Sequence, residues 1–233
     1  MRWELNDIAS YRVHARDGSL GTVSDVYFDD MFWMIRYLAV TGESSPTGQR
    51  QYLLAPEVIS GTDREYGLVS VVLRQHAVLG SPAVVVDKTI PRTEENKLRE
   101  YYGLPDYWPP LAAGEETPQM YAAHNPRLHS LDEVLGYRVL AGQDEIGALI
   151  DIAIDDRSWA IQGLELDASA WLPTGRIWIK PDGVRQVRAQ KKEITLSVTR
   201  EAVASHPKLA LTAMQETQGG VLPTHPLPRR CLQ

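Results

Sequence analysis

The strongest constraint in this chain is that it is written twice. Residues 11–38 read YRVHARDGSLGTVSDVYFDDMFWMIRYL, and residues 137–164 read YRVLAGQDEIGALIDIAIDDRSWAIQGL. At a constant offset of 126, eleven of the twenty-eight positions are identical. The most distinctive are Tyr11/Tyr137, Arg12/Arg138, Gly21/Gly147, Asp25/Asp151, Asp29–Asp30/Asp155–Asp156 and Trp33/Trp159. The offset falls to 125 by Pro56/Pro181 and holds through Pro82/Pro207. One small module has been duplicated, so whatever fold one copy adopts must suit the other. The reading divides the chain into a first module at 1–82, a joining segment at 83–127, a second module at 128–210 and a tail at 211–233.

Within the module the period is two. Leu20, Thr22, Ser24, Val26 and Phe28 alternate with Gly21, Val23, Asp25, Tyr27 and Asp29. The second copy gives Ile146, Ala148, Ile150, Ile152 and Ile154. That pattern predicts a half-buried strand whose apolar face holds the first set and points Asp25 and Asp29 away. Shorter strands are expected at YRVHA and YRVLA, joined to it through Asp17-Gly18 and Gly142-Gln143-Asp144 turns. More follow at WMIRYLAV and WAIQGLEL, before Pro56 and Pro181, and at YGLVSVVL and KEITLSV. Short strands at regular spacing with almost no helix predict a small sandwich or barrel, and a barrel removes exposed edges.

The joining segment differs. Glu94 and Glu95 just after Thr93, and Gly103 after NKLREYY, predict a helix of two to three turns. Tyr101, Tyr102, Tyr107 and Trp108 then crowd into YYGLPDYWPP, too much apolar surface for a free linker. These four aromatics are the candidate interface, open between docking on a module and forming a dimer contact. Thr199 is the expected N-cap of a second short helix. From about Thr212 the run of Gly and Pro predicts an unstructured tail.

Composition narrows function more than it identifies it. The formal charge is −6. Residues 1–82 carry 7 basic and 10 acidic side chains and residues 128–210 carry 10 and 12, so neither module shows the basic excess of a nucleic-acid binder. Cys231 is the one cysteine, which rules out an intrachain disulfide or a Cys-based metal site. No apolar run reaches the length of a membrane span, and the N-terminus lacks a signal-peptide core, so a cytoplasmic setting is expected.

The order Gly-x-apolar-x-Asp-x-x-x-Asp-Asp-x-x-Trp-x-Ile resembles the PRC-barrel family, in particular bacterial proteins with two such barrels in tandem. Gly21, Asp25, Asp29, Asp30, Trp33 and Ile35 carry it in the first copy. Gly147, Asp151, Asp155, Asp156, Trp159 and Ile161 carry it in the second, followed by WLPTG at 171–175. REYYGLPDYW and LSVTREAVASHP are also similar to that tandem group, and the resemblance covers roughly residues 5–210. The family includes the cytoplasmic domain of the photosynthetic reaction-centre H subunit and a domain of a ribosome-maturation factor. It implies an all-β, non-catalytic interaction module. Two departures stand out: the first copy has Thr41-Gly42-Glu43-Ser44-Ser45 in place of AWLPTG, and the chain lacks the H subunit's membrane anchor.

Reactive chemistry finds no footing. The six aspartates of the repeat could offer oxygens to Ca²⁺ or Mg²⁺, but Asp-Asp after a strand is turn chemistry and no loop supplies six ligands. The histidines show no metal spacing, and no nucleophile elbow, phosphate loop or dinucleotide fingerprint occurs. Arg185, Arg188, Lys191 and Lys192 form the one basic run, without interleaved aromatics. Trp33 and Trp159, at matched positions, are expected to pack inside each module rather than anchor a partner.

The expectation is two small PRC-type β-barrels joined by a segment with a short α-helix. The chain is expected to be a non-enzymatic adaptor that binds protein, as a homodimer or with another partner, and needs no cofactor. The alternatives are a small-ligand or metal-ion regulatory module and an RNA- or ribosome-associated factor.

Overall fold

The computed structural model describes residues 2–42, 50–82, 90–108, 127–173 and 175–205. The anticipated tail, Cys231, most of the altered loop after Gly42 and the middle of the joining segment lie outside these residues. In chain order the strands are β1 (Arg2–Glu4), β2 (Arg12–Ala15), β3 (Gly18–Asp29), β4 (Met34–Thr41), β5 (Gln51–Leu54), β6 (Ile59–Asp63) and β7 (Leu68–Val71). They continue as β8 (Leu128–Ser130), β9 (Arg138–Ala141), β10 (Asp144–Asp155), β11 (Ile161–Asp167), β12 (Arg176–Ile179), β13 (Val184–Arg188) and β14 (Glu193–Leu196). The helices are few and short: α1 (Leu5–Ile8), α2 (Gln75–Leu79), α3 (Arg92–Tyr102), α4 (Leu131–Val134) and α5 (Arg200–Ser205).

The chain is mostly β and forms two mixed, seven-stranded sheets. The first runs β5-β4-β3-β2-β7-β6, with β8 added on β3. The second runs β12-β11-β10-β9-β14-β13, with β1 added on β10. β2 pairs parallel with β7, and β9 pairs parallel with β14, which makes both sheets mixed. Each path ends on two strands that are not paired with each other among the described residues: β5 and β6 in one, β12 and β13 in the other. The two registers match residue for residue. Leu38 faces Leu54 as Leu164 faces Ile179, and Val13 faces Gly21 as Val139 faces Gly147.

Two compact units follow. Among the described residues, one takes in 8–29 and the described parts of 36–130, and the other takes in 2–7, 30–35 and the described parts of 131–205. The first unit's core includes Val13, Val26, Tyr37, Leu38, Leu53, Leu54 and Val69; the second's includes Val139, Ile152, Leu164, Leu166, Ile177 and Ile194.

The duplicated glycine has a backbone reason. The β2–β3 register slips at Leu20 and the β9–β10 register at Ile146, so each long strand carries a bulge. Gly21 and Gly147 follow it at φ +130° and +149°, where a Cβ would collide with the carbonyl oxygens of Thr41 and Asp167. Only glycine fits both demands.

The same bulge overturns the simple alternation expected for these strands. Leu20, Val26 and Phe28 are buried, but Thr22 and Ser24 are exposed and Val23 is buried in their place. One extra residue in the ladder reverses which face follows. Beyond Asp25, where β8 lies alongside, Val26, Tyr27, Phe28 and Asp29 are all buried. Asp29, expected to point away from the core, lies inside it.

Each copy's first strand sits in the other copy's sheet. On β10, Arg2 faces Asp155, Trp3 faces Ile154 and Glu4 faces Ala153. On β3, Leu128 faces Asp29, His129 faces Phe28 and Ser130 faces Tyr27. Shifted by the repeat offset, these are the same three pairs with the copies interchanged.

Local signals account for the helices. Thr199 Oγ1 accepts a bond from the Ala202 N–H at 3.3 Å, capping α5 as its sequence anticipates. At the other end of the same logic, α3 stops at Gly103. Its φ of +66° turns the chain, while the N–H groups of Gly103 and Leu104 bond the Glu100 and Arg99 carbonyls at 3.0 and 2.8 Å. That is the Schellman arrangement.

Candidate interaction surface

The acidic residues of the repeat turn out to be backbone and ion-pair anchors. Asp25 accepts from the Val26 N–H at 2.7 Å and from Ser130 Oγ on β8 at 2.6 Å. Asp151 accepts from the Ile152 N–H at 2.7 Å. Asp29 is held by Arg36, whose Nε and Nη2 donate to Oδ2 at 2.9 and 2.6 Å. Asp155 uses a different set: the N–H and hydroxyl of Ser158 at 2.8 and 2.9 Å, and the Arg157 N–H at 3.1 Å. Burial opposes the Asp155 charge, but the Ser158 and Arg157 donors outweigh it and hold the carboxyl below its ordinary range. Asp30 and Asp156 are half-buried beside them. Among the described residues no group of three or more His, Cys, Asp or Glu is placed to hold a metal ion.

Trp33 and Trp159 both adopt left-handed backbone, φ +53° and +60°. That conformation costs a non-glycine residue about 1 kcal/mol. The turns it produces meet: Ile35 N–H donates to the Trp159 carbonyl at 2.9 Å and Ile161 N–H to the Trp33 carbonyl at 2.7 Å, around a Met34–Ala160 bridge. Trp159 is buried, while Trp33 is half-buried.

The four linker aromatics separate. Tyr102 is buried against the first unit, and Tyr101 is exposed with its hydroxyl on the Ala77 carbonyl at 2.8 Å. Tyr107 and Trp108 are half-buried and meet edge to face at 4.7 Å. Tyr107 belongs to an ionic cluster on the inner face of α3. Glu95, Leu98, Arg99 and Tyr102, spaced i, i+3, i+4 and i+7, are the residues that α3 buries. Glu95, at 0% exposure, accepts the Tyr107 hydroxyl at 2.7 Å and the Tyr37 hydroxyl at 3.2 Å on the same oxygen. Arg36 lies 3.9 Å over the Tyr107 ring and Arg92 lies 3.8 Å over Trp108. Arg99 Nε donates to the Pro105 carbonyl at 2.7 Å and its Nη2 to Glu57 at 2.9 Å.

Electrostatics make this cluster a fastening. Burial, and then the Glu95 charge, push the Tyr37 and Tyr107 hydroxyls far above their ordinary pKa, so both stay protonated donors. Burial opposes the Arg99 charge, but the Glu57 carboxylate at 2.9 Å helps to outweigh it, and the Arg99 pKa is raised. Three guanidiniums (Arg36, Arg92 and Arg99) meet three carboxylates (Asp29, Glu57 and Glu95). The arrangement ties α3 and the Tyr107 segment to β4. The charges in Glu95, Arg99 and Arg36 escaped the sequence reading because charged side chains default to solvent. The i, i+3, i+4, i+7 spacing on α3 was the available signal.

What the surface does present is apolar and uneven. Met31 and Phe32 are 49% and 50% exposed, and Tyr66, Leu79 and Tyr101 are also exposed. All five precede the second copy. At the repeat offsets, Met31, Phe32 and Tyr66 correspond to Arg157, Ser158 and Lys191. The basic run lies on the β13–β14 hairpin, with Arg185, Lys191 and Lys192 exposed and Arg188 bonded to Gln186 at 3.0 Å. No helix among the described residues is long and apolar enough to cross a membrane.

A comparison with protein-family models finds no match to this chain, and a comparison with curated proteins finds none either.

Proposed function

We propose that the chain is a non-catalytic interaction scaffold of the tandem PRC-barrel type, self-associating through the exposed apolar turn at Met31 and Phe32. The observation that carries this reading is the asymmetry of exposed apolar side chains. Met31, Phe32, Tyr66, Leu79 and Tyr101 are the large hydrophobics exposed among the described residues, and all five precede the second copy in sequence, with Met31 and Phe32 in the turn that the first copy lends to the second copy's unit. Apolar side chains at Met31, Phe32 and Tyr66 stand where the other copy has Arg157, Ser158 and Lys191, a difference that separates a binding copy from a solvated one.

Barrel closure is part of the proposal. β5 and β6, the two ends of the first sheet's path, are joined only through Ala55 and the one-turn segment Pro56–Val58. Four residues reach at most about 14 Å. Six strands laid flat would separate their outer members by roughly 24 Å. A connection this short supports a sheet that curls toward itself. Pro181–Gly183 imposes the same condition between β12 and β13.

Light scattering at micromolar concentration tests the function. The expected result is a dimer that becomes a monomer in the double variant Met31→Arg/Phe32→Ser, which copies the second turn onto the first. The far-UV circular dichroism spectrum should not change, while the melting temperature should lose its dependence on protein concentration. A monomeric wild-type chain, or a dimer indifferent to the substitutions, overturns self-association through this face.

A further inference from the structure

We infer that each half of this chain is the binding partner of the other, and that the covalent connection between them is dispensable for assembly. The observation is the reciprocal placement of β1 and β8. Residues 2–4 extend the second copy's sheet along Ala153, Ile154 and Asp155, and residues 128–130 extend the first copy's sheet along Tyr27, Phe28 and Asp29. Each lent strand runs straight into a single helical turn, α1 at Leu5–Ile8 and α4 at Leu131–Val134. A strand pairs by main-chain bonds that any sequence supplies, so both loans are strand addition to a sheet edge.

Side chains then fix the loan of β8. Ser130 Oγ donates to Asp25 at 2.6 Å, and His129 stacks on Phe28 with ring centroids 5.5 Å apart. Leu128, His129 and Ser130 are all buried. A third exchange involves the Trp turns: residues 30–35, which the first copy encodes, belong to the second copy's unit and bond it through Ile35 and Ile161. Three segments thus cross from one half of the sequence into the sheet or turn of the other. The edge along β3 and the edge along β10 are peptide-docking sites, and the ligand of each is the opening segment of another repeat: three extended residues, then Leu-(Asn/Asp)-(Asp/Glu)-(Ile/Val). A reciprocal exchange of this kind is what two identical single-repeat chains would form by swapping their opening strands, with one chain here supplying both protomers.

The inference stands whether or not the intact chain self-associates. Its test is to insert a protease site between Gly114 and Glu115, cleave the folded protein to completion, and follow the two fragments by size-exclusion chromatography with light scattering. The fragments should travel together with the mass of the uncut chain at micromolar concentration and separate only in denaturant. The variants Trp3→Pro and His129→Pro, which interrupt the lent strands, should each weaken fragment association by at least about tenfold. Fragments that part in native buffer overturn the inference, and so do fragments that stay together equally well with both prolines in place. Should either proline unfold the uncut protein, deuterium exchange on the intact wild type decides. Residues 2–4 and 128–130 should be protected to the same degree as 153–155 and 27–29, and fast exchange in the lent strands contradicts the reading.

Discussion

Tyr37 and Gly163 hold the same place in the two copies, and so do Arg36 and Gln162, and Phe32 and Ser158. Those three differences belong together. In the first copy Arg36 grips Asp29 at 2.6 Å, and position 32 carries an exposed phenylalanine. In the second, Gln162 offers no cation, and Ser158 holds Asp155 through its N–H and hydroxyl. Tyr37 reaches Glu95 on α3, whereas Gly163 leaves space that the Trp178 ring fills, 3.2 Å from where a Cβ would sit. Backbone devices stayed common to both copies while side-chain anchoring diverged. The lesson is that duplication preserves what strains the main chain and frees what decorates it.

The largest effect should come from the anchoring that one copy alone has. Glu95→Ala leaves two buried tyrosine hydroxyls and the nearby Arg92 without their acceptor, and should cost about 3 kcal/mol or more. Urea unfolding followed by hydrogen exchange should place the loss in α3 and β4 and leave β10–β12 unchanged.

Shared strain should cost the two copies alike. Gly21→Ala and Gly147→Ala each force a Cβ against a carbonyl at positive φ, and each should lose about 2–3 kcal/mol. Unequal losses in denaturant titrations would mean that the bulge is not equally demanding in the two sheets.

Anchoring of the acidic turn should then separate them again. Asp29→Asn removes the charge from the Arg36 hydrogen bonds and should cost about 2 kcal/mol. Asp155→Asn gives up neutral donors and should cost under about 1 kcal/mol at neutral pH. Because the folded Asp155 carboxyl sits below its ordinary value, its contribution is present above the unfolded pKa of about 3.9 and is lost as pH falls through the folded one. Urea midpoints of wild type and Asp155→Asn should therefore converge in acid, and a gap that persists there would contradict the assignment.

The smallest effect concerns the β6–β7 and β13–β14 turns. Gly67 at φ +57° and Lys192 at φ +53° are equivalents, and their carbonyls accept from Arg12 and Arg138. Lys192→Gly should be neutral or stabilising by up to about 1 kcal/mol, and Gly67→Lys should be destabilising by a similar amount. Melting temperatures check both.

The sequence made the local parts of this fold legible. Strand and turn positions followed from the period of two and from the glycines, and α3 from Glu94, Glu95 and Gly103. The pattern misplaces Thr22, Val23 and Ser24 on β3, because a bulge leaves no mark in a hydrophobic pattern except the glycine after it. Strand exchange was not legible at all, and duplication is the reason. β3 and β10 offer the same register to the same kind of strand, so no pattern states which of them β1 will choose. Burial of Glu95 and Arg99 was hidden because their compensation comes from Tyr37, Glu57 and Pro105, which are distant in sequence or conventionally assigned to a loop.

The division of labour between the copies has one direct measurement, deuterium exchange of the intact chain at dilute and at concentrated protein. The expected result is added protection on concentration centred on residues 30–33, with the second copy's turn at 156–159 unaffected. Protection that appears equally in both copies, or only in the second, would contradict an interaction face carried by the first.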